Sequence, residues 1–173
     1  MLEIIPNWHP ALVHFPIAFS TAAVPFLMFG VLFKKRPYAA QCLMIGRWML
    51  LGAVLFALIA VVFGWFAFNS VAHDEVSHAA MKVHRNWALV ALTTLLVLAV
   101  WSGRSSKMLS PNIPSLGFLV LLVAAWLLVM STAWHGAELV YRYGLGVMDL
   151  PDVHSEQDAS PHDAVGHEHN HTH

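Results

Sequence analysis

Four long apolar runs dominate the pattern of hydrophobic and polar positions along the chain, at residues 10–33, 45–68, 86–102 and 115–136. At about 1.5 Å per residue each is long enough to cross roughly 30 Å of hydrocarbon, the third by continuing its helix through residues 84–86. The runs are apolar on all sides, and a chain in lipid must satisfy its backbone polar groups internally, so they predict membrane helices. Short connections predict an all-α protein, an antiparallel up-and-down four-helix bundle.

Composition narrows the class of protein and of partner. Hydrophobic residues make up 58% of the chain and charged residues 11%, whereas a soluble domain has roughly 45–50% and about 25%. The lipid bilayer is therefore the first expected partner. The formal net charge of −1 offers no basic excess for nucleic acid, so no nucleic acid partner is expected. Cys42 is the single cysteine, so any haem would have to be held non-covalently.

The lysines and arginines predict an orientation. Six of the nine fall at the ends joined by the first and third connections, and three at the opposite side, namely Lys82, Arg85 and Arg142. By the positive-inside rule this places the protein in the cytoplasmic membrane with both termini outside the cytoplasm.

A change in composition predicts two domains, a transmembrane domain over residues 1–148 and a polar, acidic, histidine-rich tail over residues 149–173. Such a tail should be disordered by itself. Its alternating histidines would chelate metal loosely or serve no dedicated purpose; they are His167, His169, His171 and His173.

All twelve histidines fall on the outer side in this topology. His9 and His14 belong to the first helix, His84 to the third and His135 to the fourth, so three helices bring an imidazole to one level. Pro16 frees the carbonyl of Leu12, so the first helix should kink close to His14. His73 and His78 lie before the third helix. A continuous helix over 71–85 would separate His73 from His84 by about 16 Å, whereas a bend would bring His73 or His78 over the bundle mouth, and the sequence leaves both shapes open.

These histidines allow three kinds of site. Two imidazoles on opposite sides of one iron suit haem b, and His14 with His84 is the preferred pair because the first and third helices are diagonal neighbours. Three imidazoles with Glu138 would suit zinc, and imidazole also suits copper. A hydrogen-bonded structural network is the third possibility. Glu138 and Arg142 form an interfacial ion pair or orient His135.

Two motifs resemble a known family: WHPALVHFPIA from Trp8 to Ala18 and WHGAELVYRYGLGV from Trp134 to Val147. Together with the four runs they resemble the bacterial membrane family called domain of unknown function 2231, over roughly residues 5–148. The resemblance implies a four-helix fold and carries over His9, His14, Glu138 and His84 as site positions. Relatives joined to Rieske-type or cytochrome c-type domains imply a redox neighbourhood.

The first hypothesis is thus a cytochrome-like membrane protein that holds haem b and passes electrons between quinol or a membrane partner and an extracytoplasmic acceptor such as cytochrome c or a Rieske protein. His135 with His73 or His78 would serve a second centre or hydrogen bonds. The alternatives are a copper- or zinc-handling membrane module and a structural subunit. No nucleophile lies beside a base in a catalytic motif, so an electron carrier or binding protein is expected rather than an enzyme.

Overall fold

The computed structural model describes residues 7–71, 73–105 and 113–147. These residues form five helices: α1 (His9–Leu12), α2 (His14–Leu32), α3 (Ala39–Ser70), α4 (Glu75–Ser105) and α5 (Leu116–Tyr141). α1 and α2 together make one span, His9–Leu32, so the chain has four helices long and apolar enough to cross a membrane. The described residues include no strand. This confirms the predicted all-α membrane fold.

The interruption between α1 and α2 lies at Val13, which keeps helical dihedral angles of φ −66° and ψ −21°. Pro16 has no N–H to donate to the carbonyl of Leu12, so the helical hydrogen-bond pattern is broken one turn before it. The interruption lies next to His14, where the sequence predicts a kink. α1, a single turn, packs against α3.

The helices form a closed ring in which α2 contacts α3, α3 contacts α4, α4 contacts α5 and α5 contacts α2. Among the described residues the diagonal pairs α2–α4 and α3–α5 have no backbone contacts, as expected for an up-and-down bundle. The closest association is within the pairs α2–α3 and α4–α5. The bundle therefore has two halves, which we call the first half (α1–α3) and the second half (α4 and α5).

Small residues let α2 and α3 approach one another. A Cβ at Gly30 would lie 2.6 Å from the Leu43 side chain, and one at Gly46 would lie 2.6 Å from the Leu27 side chain. Each leucine thus fills the space above a glycine of the other helix, which is how membrane helices gain van der Waals contact when lipid is as apolar as their side chains. Outward-facing residues such as Leu55 and Trp65 are 56% and 60% exposed in the isolated chain, and in a bilayer they contact lipid.

Two helices begin earlier in the chain than the sequence predicts. α3 begins at Ala39 and α4 at Glu75, where the apolar runs predicted starts near 45 and 86. Asp74 caps α4, since its carboxylate accepts from the N–H of Ser77 at 2.8 Å and its own N–H donates to Ser77 Oγ at 3.0 Å. This reciprocal pair is a capping box. Residues 71–85 therefore do not form one continuous helix, because α4 begins after His73.

Candidate functional site

His9 lies at the start of α1 and is held by α3. Its Nδ1 lies 2.9 Å from the carbonyl oxygen of Ala60, and a carbonyl only accepts, so Nδ1 carries the hydrogen and donates it. The flank of the ring rests on Gly64, where a Cβ would come within 2.9 Å of His9 Cε1. Pro10 in the first turn of α1 and the bond from His9 N–H to Asn7 Oδ1 at 3.0 Å fix the backbone that carries this ring.

His84 on α4 is held by α5 in the same way. Its Nδ1 donates to the carbonyl oxygen of Thr132 at 3.1 Å. The ring rests on Gly136, where a Cβ would lie 3.1 Å from His84 Cε1. Each half of the bundle therefore binds one histidine through a carbonyl and a glycine of a neighbouring helix, α3 in the first half and α5 in the second.

The spacing of carbonyl and glycine is identical in the two halves. Gly64 follows Ala60, and Gly136 follows Thr132, by one helical turn of four residues. In a helix the Cβ of a residue points back toward the N-terminus and lies over the preceding turn. A glycine at that position leaves the carbonyl one turn earlier open to a ring from a neighbouring helix. We call each carbonyl–glycine pair a histidine socket, Ala60/Gly64 for His9 and Thr132/Gly136 for His84.

The two sockets point their histidines at each other. The ring centroids of His9 and His84 are 6.2 Å apart and the ring planes are at 79°. Both side chains are half-buried. Since each Nδ1–H is taken up by a carbonyl, each neutral ring carries its lone pair on Nε2. Two imidazoles from separate helices thus present the same ligating atom at the same end of the bundle.

Residues 6–149 match the family described as Predicted membrane protein (DUF2231). The chain belongs to this family. No curated protein and no solved structure matches the chain. The match covers both histidine sockets and confirms the predicted family; the family description names a membrane protein and no activity.

His135 stands beside the socket of His84. Its ring stacks on Trp87 of α4, with centroids 5.8 Å apart and planes at 28°. Its Nδ1 lies 3.5 Å from Glu138 Oε2, and Glu138 Oε1 accepts from Arg142 at 2.6 Å. The Glu138 bond raises the pKa of Arg142, which remains a cation. His135, Glu138 and Arg142 therefore form one connected chain of polar contacts at the end of α5.

The structure does not bring His14 against His84. His14 is exposed on the first turn of α2, and its Nδ1 lies 3.4 Å from the carbonyl oxygen of Ala11 in its own chain segment. His9 is the residue from the first span that faces His84. One turn of helix separates the two positions, and the sequence could not show which of them α3 would bind.

His73 and His78 contact each other at the turn between α3 and α4. His78 Nδ1 lies 2.9 Å from His73 Nε2, and His73 Nδ1 lies 2.7 Å from the carbonyl oxygen of Val71. Both rings contact Phe68 rather than the His9–His84 pair. The described residues thus show neither the continuous helix over 71–85 nor the bend that would bring His73 or His78 over the bundle mouth. The tail histidines His167, His169, His171 and His173 lie outside the described residues.

Sequence reasoning missed the residues that hold the histidines. Gly64 belongs to a stripe of small residues on α3 that is typical of helix packing, and Gly136 stands beside a histidine that draws more attention. One sequence signal could have found them. On an apolar helix with large side chains, a glycine leaves the backbone carbonyl four residues earlier accessible to a hydrogen-bond donor. The structure also adds the contact of Trp87 with His135, which no motif in the sequence indicated.

Proposed function

We propose that this membrane protein binds haem b between His9 and His84 and carries electrons at the histidine-bearing end of the bundle. The observation that carries the proposal is the geometry of this pair. Two imidazoles on opposite sides of one metal ion have centroids about 6 Å apart, since each metal–nitrogen bond is about 2 Å long and each nitrogen lies about 1 Å from its ring centre. The centroids of His9 and His84 are 6.2 Å apart.

At the His9–His84 pair the donor set favours haem over a bare zinc ion. In haem the porphyrin supplies four ligands, so two imidazoles complete the iron, whereas a zinc site needs three or four protein ligands. In the part of the chain that the structure describes, no three His, Cys, Asp or Glu side chains lie close enough to share an ion. A zinc site of three imidazoles with Glu138 therefore has less support.

The sockets would also prepare the histidines for this role. A ligating histidine commonly donates its second N–H to a carbonyl, which fixes the tautomer and makes the ligating nitrogen more basic. His9 and His84 both make this bond. Bound haem would supply a one-electron carrier, and the protein would orient it between the two halves of the bundle.

The spectrum of the full-length protein, purified in detergent after expression with added haem precursor, tests the proposal. We expect a Soret band and, on reduction, the sharp visible bands of a six-coordinate low-spin haem. His9→Ala and His84→Ala should each lose the low-spin spectrum, and His14→Ala, an exposed histidine one turn away, should keep it. A protein without a Soret band under these conditions would overturn the proposal, and so would a low-spin spectrum that persists in both alanine variants.

Electron transfer would join a membrane quinol to an extracytoplasmic acceptor of the cytochrome c or Rieske type. Support comes from the position of the pair at an end of the bundle and from the polar chain of His135, Glu138 and Arg142 beside it. Reduction of the haem-loaded protein by a short-chain quinol, followed by reoxidation with cytochrome c, tests this. If haem binds but is reduced only by dithionite, the cofactor proposal stands and the proposed reduction by quinol is wrong.

The location that fits this function is the cytoplasmic membrane with both termini outside the cytoplasm. Lys34, Lys35 and Arg36 lie at the end opposite the histidines, which the positive-inside rule assigns to the cytoplasm. In a Cys42→Ser background, a membrane-impermeant maleimide should label Glu75→Cys in intact cells and Lys34→Cys only after lysis. The reverse pattern would invert the orientation.

A structural subunit is the second candidate function. It is favoured by one specific observation: the hydrogen bonds of both sockets join neighbouring helices, since His9 links α1 to α3 and His84 links α4 to α5. This function predicts a colourless, metal-free protein that copurifies with another membrane component. Loss of the low-spin spectrum in His84→Ala at unchanged thermal stability would argue against it.

A further inference from the structure

The turn between α3 and α4 carries a second pair of imidazoles, separate from the sockets. His73 is exposed and His78 half-exposed, and their ring planes are nearly parallel, at 8°, with centroids 4.9 Å apart. His73 Nδ1 faces the carbonyl of Val71 at 2.7 Å, so it donates there and its Nε2 carries a lone pair. His78 Nδ1, 2.9 Å away, must then donate to that lone pair.

This pair is held in place on several sides. The Val71 carbonyl at the end of α3 fixes His73, while the first turn of α4 carries His78. The ring of Phe68 lies 6.3 Å from the ring of His73 and 5.4 Å from that of His78. Two imidazoles that are already ordered lose less conformational entropy when they bind a common ligand.

The nitrogen separation suits a hydrogen bond and is also compatible with two ligands of one metal ion. Two neighbouring ligands at right angles on a tetragonal ion are about 2.8 Å apart when each metal–nitrogen bond is about 2.0 Å, and tetragonal nitrogen and oxygen sites are those of copper(II) and nickel(II). His73 Nε2 and His78 Nδ1 are 2.9 Å apart. Each ring would turn by about 45° for its lone pair to point at a shared ion, because the lone pair now lies along the line between the two nitrogens.

The charges around the pair offset one another. Asp74 and Glu75 lie on the acidic side of the turn, and Lys82 and Arg85 follow on α4. The guanidinium carbon of Arg85 lies over the ring of Phe68, 5.2 Å from its centroid. Phe68 is the same ring that both imidazoles contact. Asp74 is committed to its cap: hydrogen bonds from Ser77 lower the pKa of its carboxyl. The remaining ligands of an ion here would be water.

We propose that His73 and His78 form an exchangeable copper(II) or nickel(II) site at the α3–α4 turn, distinct from the His9–His84 pair. The ion takes the place of the hydrogen shared between the rings. His73 Nε2 and His78 Nδ1 become ligands, and the hydrogen of His78 Nδ1 moves through solvent to Nε2 of the same ring, so no net proton is released from neutral rings. With two imidazoles and water as ligands, the site exchanges its ion with the surroundings.

Copper(II) titration of the full-length chain tests the site after the histidines of the tail have been replaced. The tail histidines are changed to Asn so that they do not compete; they are His154, His162, His167, His169, His171 and His173. Paramagnetic resonance should show one bound copper with splitting from two nitrogen nuclei. His73→Asn and His78→Asn should each weaken binding at least about tenfold, the lower bound seen even for outer-shell partners of a metal, and each should leave one nitrogen.

Matched variants separate this inference from the proposed function. His14→Asn, an exposed histidine at the same end, should leave copper binding unchanged. If the double variant His73→Asn/His78→Asn binds copper as tightly as the parent chain, the inference is wrong. If copper is lost in His9→Asn/His84→Asn but kept in His73→Asn/His78→Asn, the ion belongs to the socket pair and the inference is equally wrong. A missing Soret band would bear only on the haem proposal.

Discussion

The imidazole of His9 occupies the space that a side chain at residue 64 would need, since a Cβ on Gly64 would lie 2.9 Å from His9 Cε1. The ring can therefore reach the carbonyl of Ala60 only because residue 64 is glycine. His84 and Gly136 repeat this relationship in the second half of the bundle at 3.1 Å. The repeated arrangement makes the sockets, rather than the histidines alone, the unit on which the proposed site depends.

Replacing either socket glycine with alanine should displace its histidine. Gly64→Ala and Gly136→Ala each force a ring to move, and we expect each to cost about 1–3 kcal/mol of stability, as overpacking usually does. Gly64→Ala should cost more because its contact is closer. Thermal unfolding in detergent measures the effect.

The matched control is Gly103→Ala on α4, where a Cβ would meet nothing within 4 Å. An alanine in a helix is favoured over glycine by roughly 0.5–1 kcal/mol, so this variant should be neutral or more stable. Socket variants as stable as the control would mean that the rings have room that the structure does not show.

Trp126 on α5 and Thr21 on α2 should be coupled across the two halves. The indole Nε1 donates to Thr21 Oγ1 at 3.1 Å, so Trp126 is a hydrogen-bond donor within the span. A double-mutant cycle with Trp126→Phe and Thr21→Val should give a coupling of about 0.6 kcal/mol, the average measured for hydrogen bonds between membrane helices. Strictly additive effects of the two substitutions would contradict the bond.

The cap of α4 should weaken in acid. Hydrogen bonds from Ser77 hold the pKa of the Asp74 carboxyl below its usual value, so the folded state prefers the charged form. The resulting stabilisation is complete above the unfolded pKa of about 3.9 and disappears as the pH falls through the lower, folded pKa. Amide protection factors at the first turn of α4, measured from neutral pH downward, should fall in that window.

Asp74→Asn serves as the control for the cap, because asparagine also caps helices but has no charge to lose. Its protection factors should be independent of pH over the same window. Ser77→Ala should move the loss of protection to higher pH, since it removes the hydroxyl that donates to the carboxylate. A pH dependence of Asp74→Asn equal to that of the parent would assign the titration to another group.

Gly144 should be hard to replace after α5. Its φ of 63° lies in the left-handed region, and the bond from Gly144 N–H to the Val140 carbonyl at 3.0 Å is that of an αL motif. Leu145 N–H also donates to the Leu139 carbonyl at 3.0 Å. Gly144→Ala should cost about 1–2 kcal/mol because L residues are strained there. Gly103→Ala again supplies the comparison, and equal melting temperatures of the two variants would refute the strain.

Much of this architecture follows from the sequence by itself. Hydropathy over windows of about twenty residues is a local property, and lipid leaves the backbone little choice but helix, so the four spans, their antiparallel order and the irregularity before Pro16 were predictable. The starts of the helices were less predictable. Asp74 and Ser77 cap α4, so it begins at Glu75, before its apolar run, whereas α3 begins at Ala39 without a side-chain cap.

Only the tertiary structure decided which histidines meet. Rotation and axial offset between neighbouring helices depend on packing between residues distant in sequence, as where Leu27 lies over Gly46 and Leu43 over Gly30. That packing brings the Ala60 carbonyl to His9 and leaves His14 exposed one turn later. It likewise pairs His73 with His78 at the turn rather than at the bundle mouth. The sequence determined that imidazoles gather at one end; interhelical packing chose the partners.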